Sequence, residues 1–236
     1  MMRNDNGDMV PFLFLLGLFM GSFLYCISEN RDLLSRSRCD HCGHVLNVFD
    51  LIPLLSFLFL KGRCRYCGEK ISIFYPLSEI LTGILYAGNG LCIKDLVSLF
   101  EHLILTSVLL EICFHDLKTY TIRNGSIVFG ILLRFLFCLS GEGDFLDNLS
   151  HSFLIVLPFV LLSIILTSFT KKEVIGGGDL KLIFLLSLYT APYHSLIALF
   201  LSSLFGLFVM MICGKEKIPF APCLCLGYLI VFLFVG

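Results

Sequence analysis

Eight runs of mostly apolar residues dominate the chain: 9–27, 74–92, 97–114, 125–141, 151–169, 179–193, 195–213 and 218–235. A helix that crosses a bilayer needs about 20 such residues, because no water is present to satisfy its backbone and every N–H and C=O must bond within the segment. With 57% hydrophobic residues, only 15% charged and a mean hydropathy of +0.92, the composition excludes an ordinary soluble globular domain. The pattern predicts an all-α polytopic membrane protein with about eight transmembrane helices and the lipid bilayer as its partner and solvent. Between the first and second runs lies one long polar insert, and every other connection is short. The expected organisation is therefore a first transmembrane helix (1–27), a small extramembrane module (28–73) and a helical bundle (74–236).

The first run resembles a signal peptide in length. It is preceded by Asp5 and Asp8 rather than a basic cluster, and no small-residue cleavage site follows, so a retained helix is expected. Basic residues gather on the cytoplasmic side of membrane proteins. With the N-terminus outside, Arg31, Arg36, Arg38, Lys61, Arg63, Arg65, Lys70, Lys118, Arg123, Lys171, Lys172, Lys181, Lys215 and Lys217 all fall on the cytoplasmic face, 14 of 17 in total. The external stretch 142–147 is acidic (Glu142, Asp144, Asp147). The net charge of −1 is uninformative by comparison, and nothing in the chain points to nucleic acid.

Seven of the eleven cysteines (Cys26, Cys92, Cys113, Cys138, Cys213, Cys223, Cys225) are scattered through apolar runs, where Cys behaves as a small hydrophobe. The other four form Cys39-Asp-His-Cys42 and Cys64-Arg-Tyr-Cys67, each followed by glycine, on a side of the membrane that disfavours disulfides. Two such knuckles supply four thiolates, the set that suits a closed, structural zinc site. Unmetallated thiols or two redox-active pairs are the alternatives. His41 and His44 are read as surface residues, and the apolar stretch Val48–Leu60, too short to span, as either a small core or a membrane-surface segment.

Ionisable groups at the ends of membrane helices are costly and commonly mark chemistry or transport. Asp116 ends the third run, and Asp179, after Gly176, Gly177 and Gly178, begins the sixth. The topology puts both at the cytoplasmic face, where a shared site would let one carboxylate stay basic while the other holds a proton, as in an aspartic protease. Asp179 near a helix N-terminus is expected to be the anion and Asp116 near a C-terminus the acid. The glycine run would admit an extended substrate close to the backbone. Glu111 and His115 lie near Asp116, and Arg134 within the fourth run could pair with an acid or snorkel. His102 and His194 are read as structural.

These residues resemble the type IV prepilin leader peptidases of bacterial membranes. The likeness runs through Gly21-Ser22-Phe23, Arg36-Ser37-Arg38-Cys39, Asp50-Leu51-Ile52-Pro53, the second cysteine pair, Tyr75-Pro76 with Glu79, His115-Asp116, the GxGDxKL-like Gly176–Leu182 and Pro219-Phe220-Ala221-Pro222. The resemblance implies that Asp116 and Asp179 cleave pilin-like precursors after a glycine, between a basic leader and a hydrophobic helix, at the cytoplasmic face of the bacterial inner membrane. It further implies methylation of the new N-terminal amine from S-adenosylmethionine, with the cysteine module involved and Glu79 at a position linked to that half. Two positions depart from the family pattern: His115 replaces a hydrophobic residue, and Arg123-Asn124 stands where Pro-Asp is frequent. An ion-coupled transporter and a noncatalytic zinc-bearing assembly factor are the competing readings. The particular precursor and the oligomeric state are not legible from the chain.

Overall fold

A computed structural model of the chain describes residues 9–29, 36–141, 143–171, 175–214 and 218–235. Of the charged residues used above, Asp5, Asp8, Arg31, Glu142, Lys172, Lys215 and Lys217 lie outside the described residues. The fold is helical: α1 (Val10–Ser28), α2 (Leu55–Phe59), α3 (Phe74–Cys92), α4 (Leu96–Thr119), α5 (Asn124–Leu139), α6 (Phe145–Thr170), α7 (Gly177–Ser187), α8 (Pro192–Cys213) and α9 (Ala221–Val235), with a 3₁₀ turn at Val48–Leu51. Every predicted run overlaps one of these helices.

The expectation of about eight spans is not carried by the helix lengths. Among the described residues, α1, α4, α6 and α8 are long and apolar enough to cross a membrane. Helix α7 has 11 residues, a length of ~16 Å at 1.5 Å per residue, against a hydrocarbon core of ~30 Å. It stops short of Pro192, whose ring disfavours helical backbone in the residue before it. Its apolar character has a different cause from that of a lipid-facing span: Leu182, Leu185, Leu186 and the following Leu188 are 0% exposed, enclosed by protein.

Packing divides the chain after Leu99 into two compact units, which places α3 with the first. In that unit α1 and α3 run antiparallel at very close range. A Cβ on Gly17 would lie 2.7 Å from Gly83 Cα, one on Gly21 would lie 2.6 Å from the Ser78 carbonyl oxygen, and one on Gly90 would strike Leu13. Small residues at such a crossing let backbones approach, which drives helix association in lipid. The antiparallel pairing returns both ends of the polar insert to one end of the pair. Within the insert, Phe49, Leu58 and Phe59 are exposed, so Val48–Leu60 is no core for the module.

In the second unit the core joins Leu109 and Ile112 of α4 to Leu182, Leu185 and Leu186 of α7, Ala198 of α8, and Leu224 and Tyr228 of α9. Helices α6 and α8 leave large apolar side chains exposed along most of their length, among them Leu154, Leu157, Leu161, Phe200 and Phe208, a surface suited to lipid rather than water.

Candidate active site and metal centre

Helix α4 buries four ionisable side chains, Glu101, Glu111, His115 and Asp116. Isolated charges there would be prohibitive, and each has a partner. Arg134 places one guanidinium nitrogen 2.9 and 3.0 Å from the two carboxylate oxygens of Glu101, so pairing rather than snorkelling accounts for this arginine. Glu111 takes an ion pair from Arg123 at 2.8 Å and a hydrogen bond from the Ser126 hydroxyl. The His115 ring donates from Nδ1 to the Thr121 carbonyl at 2.9 Å.

Asp116 accepts a hydrogen bond of 3.1 Å from the backbone N–H of Ala221, the first residue of α9. Asp179 lies in the first turn of α7, whose Leu182 and Ile183 share one core with Ile112 and Cys113 of α4, the helix that carries Asp116. The predicted pair is therefore brought together within one unit. Asp116, at the C-terminal end of α4, thus meets the amide at the start of α9, a donor that its own sequence position does not predict.

The three glycines are ordered by that helix. Gly176 is its N-cap, while Gly177 and Gly178 form its first turn, and none has a positive φ. A Cβ at Gly176 would lie 3.1 Å from Asp179 Oδ2 and crowd the carboxylate, whereas one at Gly177 would meet nothing within 4 Å among the described residues. The turn after α4 also enters the site: Ile122 packs 3.4 Å from the Cβ position of Gly178, and Lys181 Nζ donates to Asn124 Oδ1 at 2.9 Å. Sequence reasoning did not find the Ala221 amide or the Arg123–Glu111 and Lys181–Asn124 ties. The signals available were the Pro-Phe-Ala-Pro segment and the Arg-Asn pair noted as a departure.

In the first unit the two cysteine knuckles repeat each other. Cys39 N–H bonds the His44 carbonyl and Gly43 N–H the Cys39 carbonyl (3.0 and 2.9 Å); Cys64 N–H bonds Glu69 and Gly68 N–H bonds Cys64 (2.8 and 2.9 Å). Gly43 and Gly68 have φ of 67° and 72°, a left-handed conformation that a side chain would strain. The His44 and Tyr66 rings stack at 3.7 Å, and Arg65 pairs with Asp50 at 2.9 Å.

The sulfurs of Cys39, Cys42, Cys64 and Cys67 lie within 4.8 Å of one another, and those of Cys39 and Cys67 are 3.9 Å apart. A tetrahedral zinc with Zn–S of about 2.3 Å requires S···S of ~3.8 Å, so the donor set fits that ion in type, number and spacing. The Cys42 and His41 amides pull the Cys39 thiol down to about 6. Cys67 is pushed up to about 12: the Glu69 amide lowers it, but desolvation and hydrogen bonds shared with Cys64, Cys42 and Cys39 outweigh that. Zinc binds thiolates, so its binding would displace the thiol protons.

Glu79, on α3, is buried, and its carboxylate accepts the Leu54 N–H at 2.8 Å. Leu54 has a φ of 60°, so the bond holds the module's chain in a strained turn beside the α1–α3 pair. This carboxylate is already engaged.

A helical membrane protein that carries two helix-borne carboxylates in one unit and two two-thiol knuckles in another belongs to a narrow class of integral membrane proteins. Comparison makes the class specific, and the chain belongs to the type IV leader peptidase family. Residues 15–92 match the Bacterial Peptidase A24 N-terminal domain and residues 103–211 the Type IV leader peptidase family, a division that agrees with the boundary after Leu99. The chain is 29% identical to the prepilin leader peptidase/N-methyltransferase of Bacillus subtilis, over 96% of this chain and 94% of that one. It is 32% identical to the type 4 prepilin-like proteins leader peptide-processing enzyme of Escherichia coli, over 82% and 74%. The prepilin leader peptidase/N-methyltransferase of Myxococcus xanthus is 35% identical over 75% of this chain, which spans 55% of that protein's length. No solved structure matches the chain.

Proposed function

We propose that this protein is a prepilin leader peptidase and N-methyltransferase of the bacterial inner membrane, cutting with Asp116 and Asp179. The observation that supports the reading is the packing of α4, which carries Asp116, against α7, which carries Asp179 in its glycine-led first turn, in a chain of this family. One carboxylate, as general base, takes a proton from water. The resulting hydroxide attacks the carbonyl of the glycine that ends the leader, while the second carboxyl protonates the departing nitrogen as the C–N bond breaks. The products are a leader ending in a carboxylate and a mature chain with a free amine.

Zinc would be held by Cys39, Cys42, Cys64 and Cys67 as a structural ion that fixes the two knuckles. S-adenosylmethionine, when bound, supplies an electrophilic methyl group to the new amine. Glu79 does not fit as an open ligand for that donor, because its buried carboxylate is bonded to Leu54. The charge distribution favours an external N-terminus and a dyad at the cytoplasmic face, where a pilin-like precursor presents its basic leader.

The test incubates a pilin-like precursor in liposomes with wild type, Asp116→Asn and Asp179→Asn, and reads product by gel mobility and mass. Loss of cleavage in both variants, with zinc content unchanged, is expected. A further 14 Da on the mature product is the mass of one added methylene and marks methylation. Variants that cut as well as wild type would refute the dyad, and a wild type inert on several precursors would favour the transporter or scaffold readings.

A further inference from the structure

Four consecutive residues, three in the turn after α4 and the first of α5, each contact a different part of the two helices that carry the aspartates. The Thr121 carbonyl receives His115 Nδ1 at 2.9 Å, next to Asp116. Ile122 packs 3.4 Å from the Cβ position of Gly178, next to Asp179. Arg123 pairs with Glu111 on α4 at 2.8 Å, and Asn124 accepts from Lys181 on α7 at 2.9 Å. The contacts alternate between the helix of one acid and the helix of the other.

We propose that residues 121–124 form a strut that sets the separation of the Asp116 and Asp179 carboxylates, with Arg123 and Lys181 as positioning residues for the peptidase reaction. The inference rests on the aspartyl reading and extends it to groups that never touch the reacting atoms. Each end of the strut is anchored by a tie with defined geometry. Arg123 is drawn in by a buried acid that Ser126 also holds, so it cannot drift without leaving a carboxylate unpaired. Lys181 is exposed and two residues beyond Asp179, so its bond to Asn124 fixes the rotation of the first turn of α7 at little folding cost. Helix α7 is short and begins with two glycines after a glycine N-cap, which hold it weakly by themselves. Water activation needs both carboxylates on the same molecule, and a misplacement of about 1 Å can cost about 10²-fold in rate.

The closing experiment measures leader-cleavage kinetics on full-length enzyme in liposomes for Arg123→Gln, Arg123→Lys, Lys181→Gln, Asn124→Asp, Asp116→Asn and Asp179→Asn, with thermal unfolding of each. Arg123→Gln and Lys181→Gln are expected to lower kcat by about 10-fold to 10²-fold with KM little changed. Arg123→Lys should recover part of the loss, and Asn124→Asp, which turns the Lys181 contact into an ion pair, should retain wild-type kcat. The two losses combined should be less than additive, because both ties act on one element. If Lys181→Gln, which alters a surface side chain and should fold, and a folded Arg123→Gln both cut with wild-type kcat while the two Asp variants are dead, the strut is wrong and the dyad stands. A loss confined to KM would assign the turn to substrate binding and also overturn the strut. Asp variants that still cut would overturn the peptidase reading itself, and the strut with it.

Discussion

Replacing Arg134 by methionine should destabilise the second unit by an amount set by what the arginine leaves behind. The Glu101 side chain is 3% exposed and that of Arg134 15%, so neither charge can recover its lost partner from bulk water. Truncating one member of such a buried pair costs about 3–5 kcal/mol, because the survivor is stranded. The arginine also stands 5.5 Å from the centre of the Tyr189 ring, a cation–π contact of about 0.5–2 kcal/mol that is lost with it. The double variant Arg134→Met, Glu101→Leu removes both charges and fills the space with apolar atoms, so its stability should return to within about 1 kcal/mol of wild type, as replaced buried pairs do elsewhere. Reversible unfolding in mixed micelles, followed by far-UV circular dichroism, gives the free energies. Arg134→Met that costs less than about 1 kcal/mol, or a double variant no better than the single one, would refute the reasoning, since it would mean that water or lipid headgroups already solvate the pair.

Other expectations follow from single contacts. The purified protein should hold one zinc per chain by mass spectrometry, and Cys64→Ser should lose it and open residues 36–72 to limited proteolysis, with methylation failing before leader cleavage. Gly227→Val should loosen α9 from α8, because a Cβ there would strike Ser202 Oγ and sit 2.6 Å from the Ala198 carbonyl oxygen; overpacking of this kind costs about 1–3 kcal/mol, read in the same unfolding assay. Gly21→Leu should separate α1 from α3 at Ser78 and Glu79 and lower methylation more than cleavage, read as the ratio of unmethylated to methylated product.

Hydropathy located every long helix because lipid and protein interior select the same residues, and for that same reason it could not tell the two apart. The run 179–193 is apolar because α7 lies among α4, α5, α6 and α9, with Leu182 and Leu185 fully enclosed; only the helix length separates it from a span. The boundary of α6 was missed by six residues because Asp144 caps it, accepting the Leu146 N–H at 3.0 Å, and a polar first turn reads as loop. The knuckles were legible down to their glycines, since the CxxCG spacing itself dictates the turn. The ties that hold the candidate site were not. Glu101 and Arg134 are 33 residues apart and Lys181 and Asn124 57 apart, and no periodicity within a helix encodes a partner on another.

Both departures from the family pattern fall in that illegible layer, and the structure gives them a common place. His115, where the family is apolar, spends its Nδ1–H on the Thr121 carbonyl. Arg123-Asn124, where Pro-Asp is frequent, supplies the side chains that reach Glu111 and Lys181. A proline at 123 could fix the turn through its own ring, with φ held near −65°; arginine there has a φ of −70° and must be held in place by its ion pair instead. An aspartate at 124 would bind Lys181 by charge, whereas asparagine binds it by a neutral acceptor. The substitutions therefore compensate one another around a single turn: rigidity lost from the backbone at 123 is replaced by the buried Glu111 pair, and the anchor at 115 adds a further bond to the same segment. Restoring Pro-Asp here should then leave cleavage close to wild type only when Glu111 is also made neutral, because the proline would otherwise strand that carboxylate with Ser126 alone.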